Sequence, residues 1–109
     1  MTERAVRITF KNGDDPAEGM HLDIVLNGST IKRGSEYYGV WFDTSDGSKC
    51  PFILNTNGEI DYGAGFEEED QIYGTNALDI AITEGATITC TFEGEGVSYQ
   101  IAKITPLAA

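Results

Sequence analysis

The sequence predicts a small all-β domain, an antiparallel barrel or a two-sheet sandwich of about seven to eight short strands. Three observations lead there. Apolar residues recur at every second position: Val6, Ile8 and Phe10 oppose Arg7, Thr9 and Lys11, and Ala86, Ile88, Cys90 and Phe92 oppose Thr87, Thr89, Thr91 and Glu93. No helical period accounts for that alternation. Asp46-Gly47 and Asn57-Gly58 are pairs favoured in tight hairpins, and they fall between such segments. Thirteen glycines against three prolines, with 40% hydrophobic residues, suit a turn-rich globular protein.

Taken in order, residues 4–11 form a first strand with a basic outer face, and Asn12-Gly-Asp-Asp-Pro16 ends it because these are turn residues and Pro16 lacks a backbone donor. A loop over 12–19 follows, with room for one helical turn at Pro16–Glu18. Leu22, Ile24 and Leu26 mark the second strand, with His21, Asp23 and Val25 on its other face. Asn27-Gly-Ser29 breaks it, and Thr30–Lys32 pairs briefly.

Tyr37, Tyr38, Trp41 and Phe42 then fall within six positions. Extended backbone places Tyr38, Val40 and Phe42 on one face and Tyr37, Trp41 and Asp43 on the other, with Gly39 opening space between the latter aromatics. The two hairpin signals make 37–62 a meander, in which Pro51 belongs at a strand start or on an edge. Residues 63–76 are expected to be a connector, since Glu67 to Asp70 is poor strand material and Phe66 with Ile72 or Tyr73 suits a helical turn ended by Gly74. Three strands are expected to close the chain, over Leu78–Ile82, Ala86–Phe92 and Val97–Ile101. Val97, Tyr99 and Ile101 keep one phase, but position 103 is Lys and the next apolar residue is Ile104, so the register slips by one. A β-bulge near Ala102 reconciles the halves.

At 109 residues the chain fits a single domain spanning 1–109, which buries roughly 60–70% of the surface its unfolded form exposes. Its formal net charge of −11 is unevenly spread. Residues 50–102 contain Glu59, Asp61, Glu67, Glu68, Glu69, Asp70, Asp79, Glu84, Glu93 and Glu95 without a Lys or Arg. Such a field opposes direct nucleic-acid binding and anionic membranes and favours a basic protein or a multivalent cation. The amino terminus shows no apolar run of secretory length and no stretch approaches the ~20 apolar residues of a membrane span, which places the expectation in the cytoplasm. Cys50 and Cys90 allow only one disulfide with each other and match no zinc spacing; two reduced, packed thiols are expected.

Chemistry has few footholds. His21, the only histidine, lies beside Asp23 in the polar phase of its strand and is expected to be an exposed strand residue. Counting back from Gly47 or Gly58 puts Phe42 or Ile53 at the first position of a calcium loop, so both fail that template, leaving only an irregular cation site at Glu67 to Asp70. Gly63-Ala-Gly65 and Gly94-Glu-Gly96 lack the further Gly or Lys of a phosphate loop. The expectation is therefore a non-enzyme without cofactor or metal: an acidic interaction module that meets a basic protein surface through Glu59, Asp61, Glu67, Glu68, Glu69, Asp70, Glu93 and Glu95, including mimicry of a nucleic-acid phosphate surface. The alternative is a small-ligand or carbohydrate-binding domain using Tyr37, Trp41 and Asp43, because sugars stack on aromatic rings while a carboxylate accepts from their hydroxyls. Homo-oligomerisation through open sheet edges is compatible with each.

Overall fold

The alternating segments pair into one antiparallel sheet that curls into a nearly closed barrel. The computed structural model describes residues 3–62, 73–92 and 95–107. Its strands are β1 (Glu3–Asn12), β2 (Glu18–Asn27), β3 (Thr30–Ile31), β4 (Tyr37–Asp43), β5 (Ser48–Leu54), β6 (Ile60–Asp61), β7 (Gly74–Thr75), β8 (Thr87–Phe92) and β9 (Glu95–Pro106). Eight of them run in the order β6-β5-β4-β2-β1-β9-β8-β7, with β3 paired to β2 off this path. A bridge between Glu59 and Gly74 joins the two ends, reinforced by Ile60 N–H donating to Tyr73 C=O at 2.8 Å and Thr75 N–H to Gly58 C=O at 2.9 Å. Gly58 sits there at φ +90°, a conformation that favours glycine, and a Cβ would press on Thr75 O at 3.1 Å. The architecture is a barrel rather than a sandwich.

Bending comes partly from the predicted bulge. Phe10 pairs with Ile101 but Thr9 with Lys103, so Ala102 is the extra residue. Lys103 thereby stays outside while Ile104 returns to face Ile8. The inward phases of the strands meet in one core, where Val6, Ile8, Phe10, Leu22, Ile24, Leu26, Phe52, Leu54, Ile88, Tyr99 and Ile101 are each at most 3% exposed. Each such aliphatic or Phe side chain contributes about 1.5–3 kcal/mol relative to exposure.

Two expectations change. The segment Leu78–Ile82 is not a strand: Ala77–Asp79 is a single 3-10 turn, and Ile82 N–H donates instead to Ser29 C=O at 2.6 Å. Leu78 and Ile82 are buried and Asp79 and Ala81 exposed, as the alternation predicts, but the edge of β8 is already paired by Gly74 and Thr75. Those two residues, assigned to a connector, are the strand that closes the barrel. The expected helical turn over Phe66 to Tyr73 lies mostly outside the described residues. At Pro16–Glu18 a single turn forms, Glu18 N–H donating to Asp15 C=O at 3.1 Å, and β2 starts immediately.

Candidate functional site

β4 decides where chemistry can sit, because both its phases are bulky. Tyr37, Gly39 and Trp41 turn inward; a Cβ on Gly39 would collide with the Phe52 ring and stand 2.7 Å from His21 O. The ring of Phe52 occupies the space that Gly39 leaves. Tyr37 is buried and donates its hydroxyl to Lys32 C=O at 2.5 Å. Trp41 is half-buried against the core and donates Nε1–H to Glu18 Oε1 at 2.9 Å. Asp43 ends the strand and accepts from Ser45 N–H at 2.9 Å and Ser45 Oγ–H at 2.6 Å, ordering the β4–β5 turn. Tyr37, Trp41 and Asp43 are thus drawn to different tasks rather than one open platform.

The inward phase leads to a polar cluster at one end of the barrel interior. The carboxylate of Glu18 accepts from Trp41, from the Tyr99 hydroxyl at 2.5 Å and, through Oε2, from Asn12 Nδ2 at 3.2 Å. Asn12 is itself buried and accepts from Asp14 N–H at 2.9 Å. Burial pushes the Tyr99 phenol well above its ordinary range, and the carboxylate beside it adds to the effect. Desolvation also raises Tyr62, and it raises the Cys90 thiol to about 11. Cys50 and Cys90 are both free and buried. Protons here are tightly held, and the cluster braces β2, β4 and β9 against one another.

The outward phase forms an open groove. Registers align three rows across the outer face: Arg7, Asp23, Tyr38 and Ile53; Thr9, His21, Val40 and Pro51; Lys11, Gly19, Phe42 and Lys49. Between the first and third rows lies a depression of about 440 Å³, lined by Arg7, His21, Asp23, Tyr38, Phe42 and Lys49 and closed at one end by Thr44, Gly47 and Ser48. Gly19 shapes it, since a Cβ there would stand 2.5 Å from Phe10 O and 2.9 Å from Phe42 Cζ. Phe42 therefore packs over β2, with the His21 ring edge-on at 5.1 Å. Arg7 grips Asp23 with two hydrogen bonds, Nε to Oδ1 at 2.7 Å and Nη2 to Oδ2 at 3.0 Å, which holds the Asp23 carboxyl below the usual carboxylate range. Burial lowers the His21 pKa, and Arg7 and Lys49 lower it further against the opposing pull of Asp23. His21 is thus neutral at pH 7, and Asp23 is committed to Arg7.

Of the acidic residues predicted to form an interface, Glu59, Asp61 and Glu95 are exposed. Glu67, Glu68, Glu69, Asp70 and Glu93 lie outside the described residues, as does the irregular cation site considered at Glu67 to Asp70. Among the described residues no three His, Cys, Asp or Glu side chains assemble as metal ligands, and no helix is long and apolar enough to cross a membrane. Sequence reasoning missed Glu18, Tyr38 and Phe42. Gly19 and Gly39 were the available signals, each marking a place where a neighbouring ring needs the absent side chain. Comparison of the chain with protein-family models, with curated proteins and with solved structures finds no match.

Proposed function

We propose that the protein is a non-enzymatic interaction module that meets a basic protein surface through one acidic sector of its barrel. The observation behind this reading is topological. The base-free stretch 50–102 supplies β5 from Cys50 onward, β6, β7, β8 and the first two thirds of β9, and closure between β6 and β7 makes these strands neighbours around the barrel. A charge asymmetry along the chain thus becomes a wall without Lys or Arg among the described residues. Exposed Thr87, Thr89, Thr91, Ser98 and Gln100 form an uncharged hydrogen-bonding face on β8 and β9; Glu95, in the opposite phase, is exposed at the start of β9, and Glu59 and Asp61 lie across β7. Lysine and arginine side chains find acceptors on such a surface, and phosphate mimicry toward a DNA-binding protein is a special case of it. Two buried free thiols agree with a reducing compartment, the cytoplasm in this reading.

The test is capture from the source cell's lysate on the immobilised full chain, at low salt and near ~1 M salt, where the Debye length falls to about 3 Å. A discrete basic protein held at low salt, released at high salt and not held by the Glu59→Gln, Asp61→Asn, Glu95→Gln triple variant is the expected result. Retention that ignores both salt and the three substitutions would overturn the reading. A second reading, the small-ligand or carbohydrate-binding domain, has the groove over β4 in its favour.

A further inference from the structure

We propose that the groove on the outer face of β1, β2, β4 and β5 binds an uncharged saccharide, with its sugar ring over Val40 between Tyr38 and Phe42. The inference rests on the second reading above and assigns it a site and a ligand class.

Shape comes first. Tyr38 and Phe42 are four residues apart on one strand face, which separates their backbones by roughly 14 Å, and the smaller Val40 lies between them. That leaves a trough long enough for one or two pyranose rings. Its volume of about 440 Å³ lies within the range of small-molecule sites. Tyr38 is 53% exposed, so one face of its ring is open to stack against the C–H face of a sugar.

Charge decides the class. The ionic groups lining the groove are Arg7 and Lys49 against Asp23 and Asp43, two of each sign, with a neutral His21. An anion gains nothing there and is repelled by the net −11 of the protein. A cation meets Arg7 and Lys49 and finds both carboxylates engaged, Asp23 by Arg7 and Asp43 by the Ser45 N–H and hydroxyl. A purely apolar ligand would strip water from Arg7, Asp23, Thr44 and Ser48 without replacing their hydrogen bonds. Hydroxyl groups both donate and accept, and so answer this mixture of guanidinium, carboxylate, imidazole and hydroxyl groups.

The site is also fixed in place before any ligand arrives. Arg7 and Asp23 hold each other, Phe42 rests on Gly19 and His21, and Thr44 ties the β4–β5 turn to the β1–β2 loop through Thr44 N–H and Oγ–H donated to Ala17 C=O at 2.8 and 3.1 Å. Groups already ordered lose little freedom on binding.

The test is a titration of the 15N-labelled full chain with cellobiose, maltose, lactose and chitobiose in turn, read by backbone amide shifts. At least one disaccharide is expected to move the amides of Asp23, Tyr38, Val40, Phe42 and Ser48 together. Tyr38→Ala should weaken that binding about tenfold, whereas Leu107→Ala, at an exposed position near the chain's end, should leave it unchanged. Equal binding by wild type and Tyr38→Ala overturns the proposal. Shifts confined to other surfaces refute this site while sparing the carbohydrate-binding reading, and no shift with any of the four sugars removes both.

Discussion

Tyr99 donates its hydroxyl to Glu18 at 2.5 Å across 81 positions of sequence, and the same carboxylate oxygen accepts the Trp41 indole N–H. Three strands are thereby joined through one half-buried acid. Replacing Glu18 by Ala removes the acceptor shared by Trp41, Tyr99 and Asn12, at a cost of about 1–3 kcal/mol for each donor left unsatisfied, while Tyr99→Phe removes the hydroxyl's bond to the carboxylate, worth about 1.5–3 kcal/mol. Urea unfolding of both single variants and the double variant should give a coupling of about 0.5–3 kcal/mol. Additive losses would mean that the bond does not hold the strands together.

Acid should weaken the fold in two stages. The folded-state pKa of His21 is lowered from 6.5, so between the folded and unfolded values the unfolded chain binds more protons, and stability falls as pH drops through that window. Asp23, held below its ordinary value of 3.8 by Arg7, contributes stability above 3.8 that is lost as pH falls further. Melting temperatures measured from pH 8 to 3 should decline in two windows, one opening below 6.5 and the other below 3.8. His21→Gln should flatten the upper window and leave the lower one intact; an unchanged upper slope would assign it to another group.

Two glycines offer a sharp contrast with a third. A Cβ at Gly39 meets the Phe52 ring and the His21 carbonyl, and one at Gly19 meets the Phe10 carbonyl, whereas at Gly13 nothing lies within 4 Å. Overpacking of this kind costs about 1–3 kcal/mol or more, while an unobstructed surface change stays within about 0.5 kcal/mol. Gly39→Ala and Gly19→Ala should therefore shift the urea midpoint clearly and Gly13→Ala hardly at all. Equal midpoints for the three would show that the rings relax freely.

These glycines also mark how far sequence reasoning reaches. The alternation of Val6, Ile8 and Phe10 places β1, and the slip between Ile101 and Ile104 places the bulge, because a period of two leaves a visible trace when one residue is inserted. In β4 both phases are bulky, so hydrophobicity does not say which aromatic pair faces in; the Phe52 ring beneath Gly39 decides it, and that contact is not local in sequence. Glu18 looked like loop material because its partners stand on β4 and β9. Gly74 and Thr75 carry no strand signature of their own, and only the barrel's need to close its edges makes them a strand.

The two thiols give a further check on the closed interior. Alkylation and disulfide exchange proceed through the thiolate, and burial raises Cys50 and lifts Cys90 to about 11 while also blocking access. Both thiols should resist Ellman's reagent in the native protein and react within the mixing time in denaturant. In native protein the rate should then report opening of the barrel. Cys90 lies on β8 directly opposite Thr75 of β7, so separation of β7 exposes it, whereas Cys50 is released by fraying at the start of β5. Thr75→Pro removes the Thr75 N–H that donates to Gly58 C=O across the closure and should accelerate labelling of Cys90 more than of Cys50. Equal acceleration at both cysteines would show that the barrel opens as a unit, with the short β6–β7 closure no weaker than its other seams.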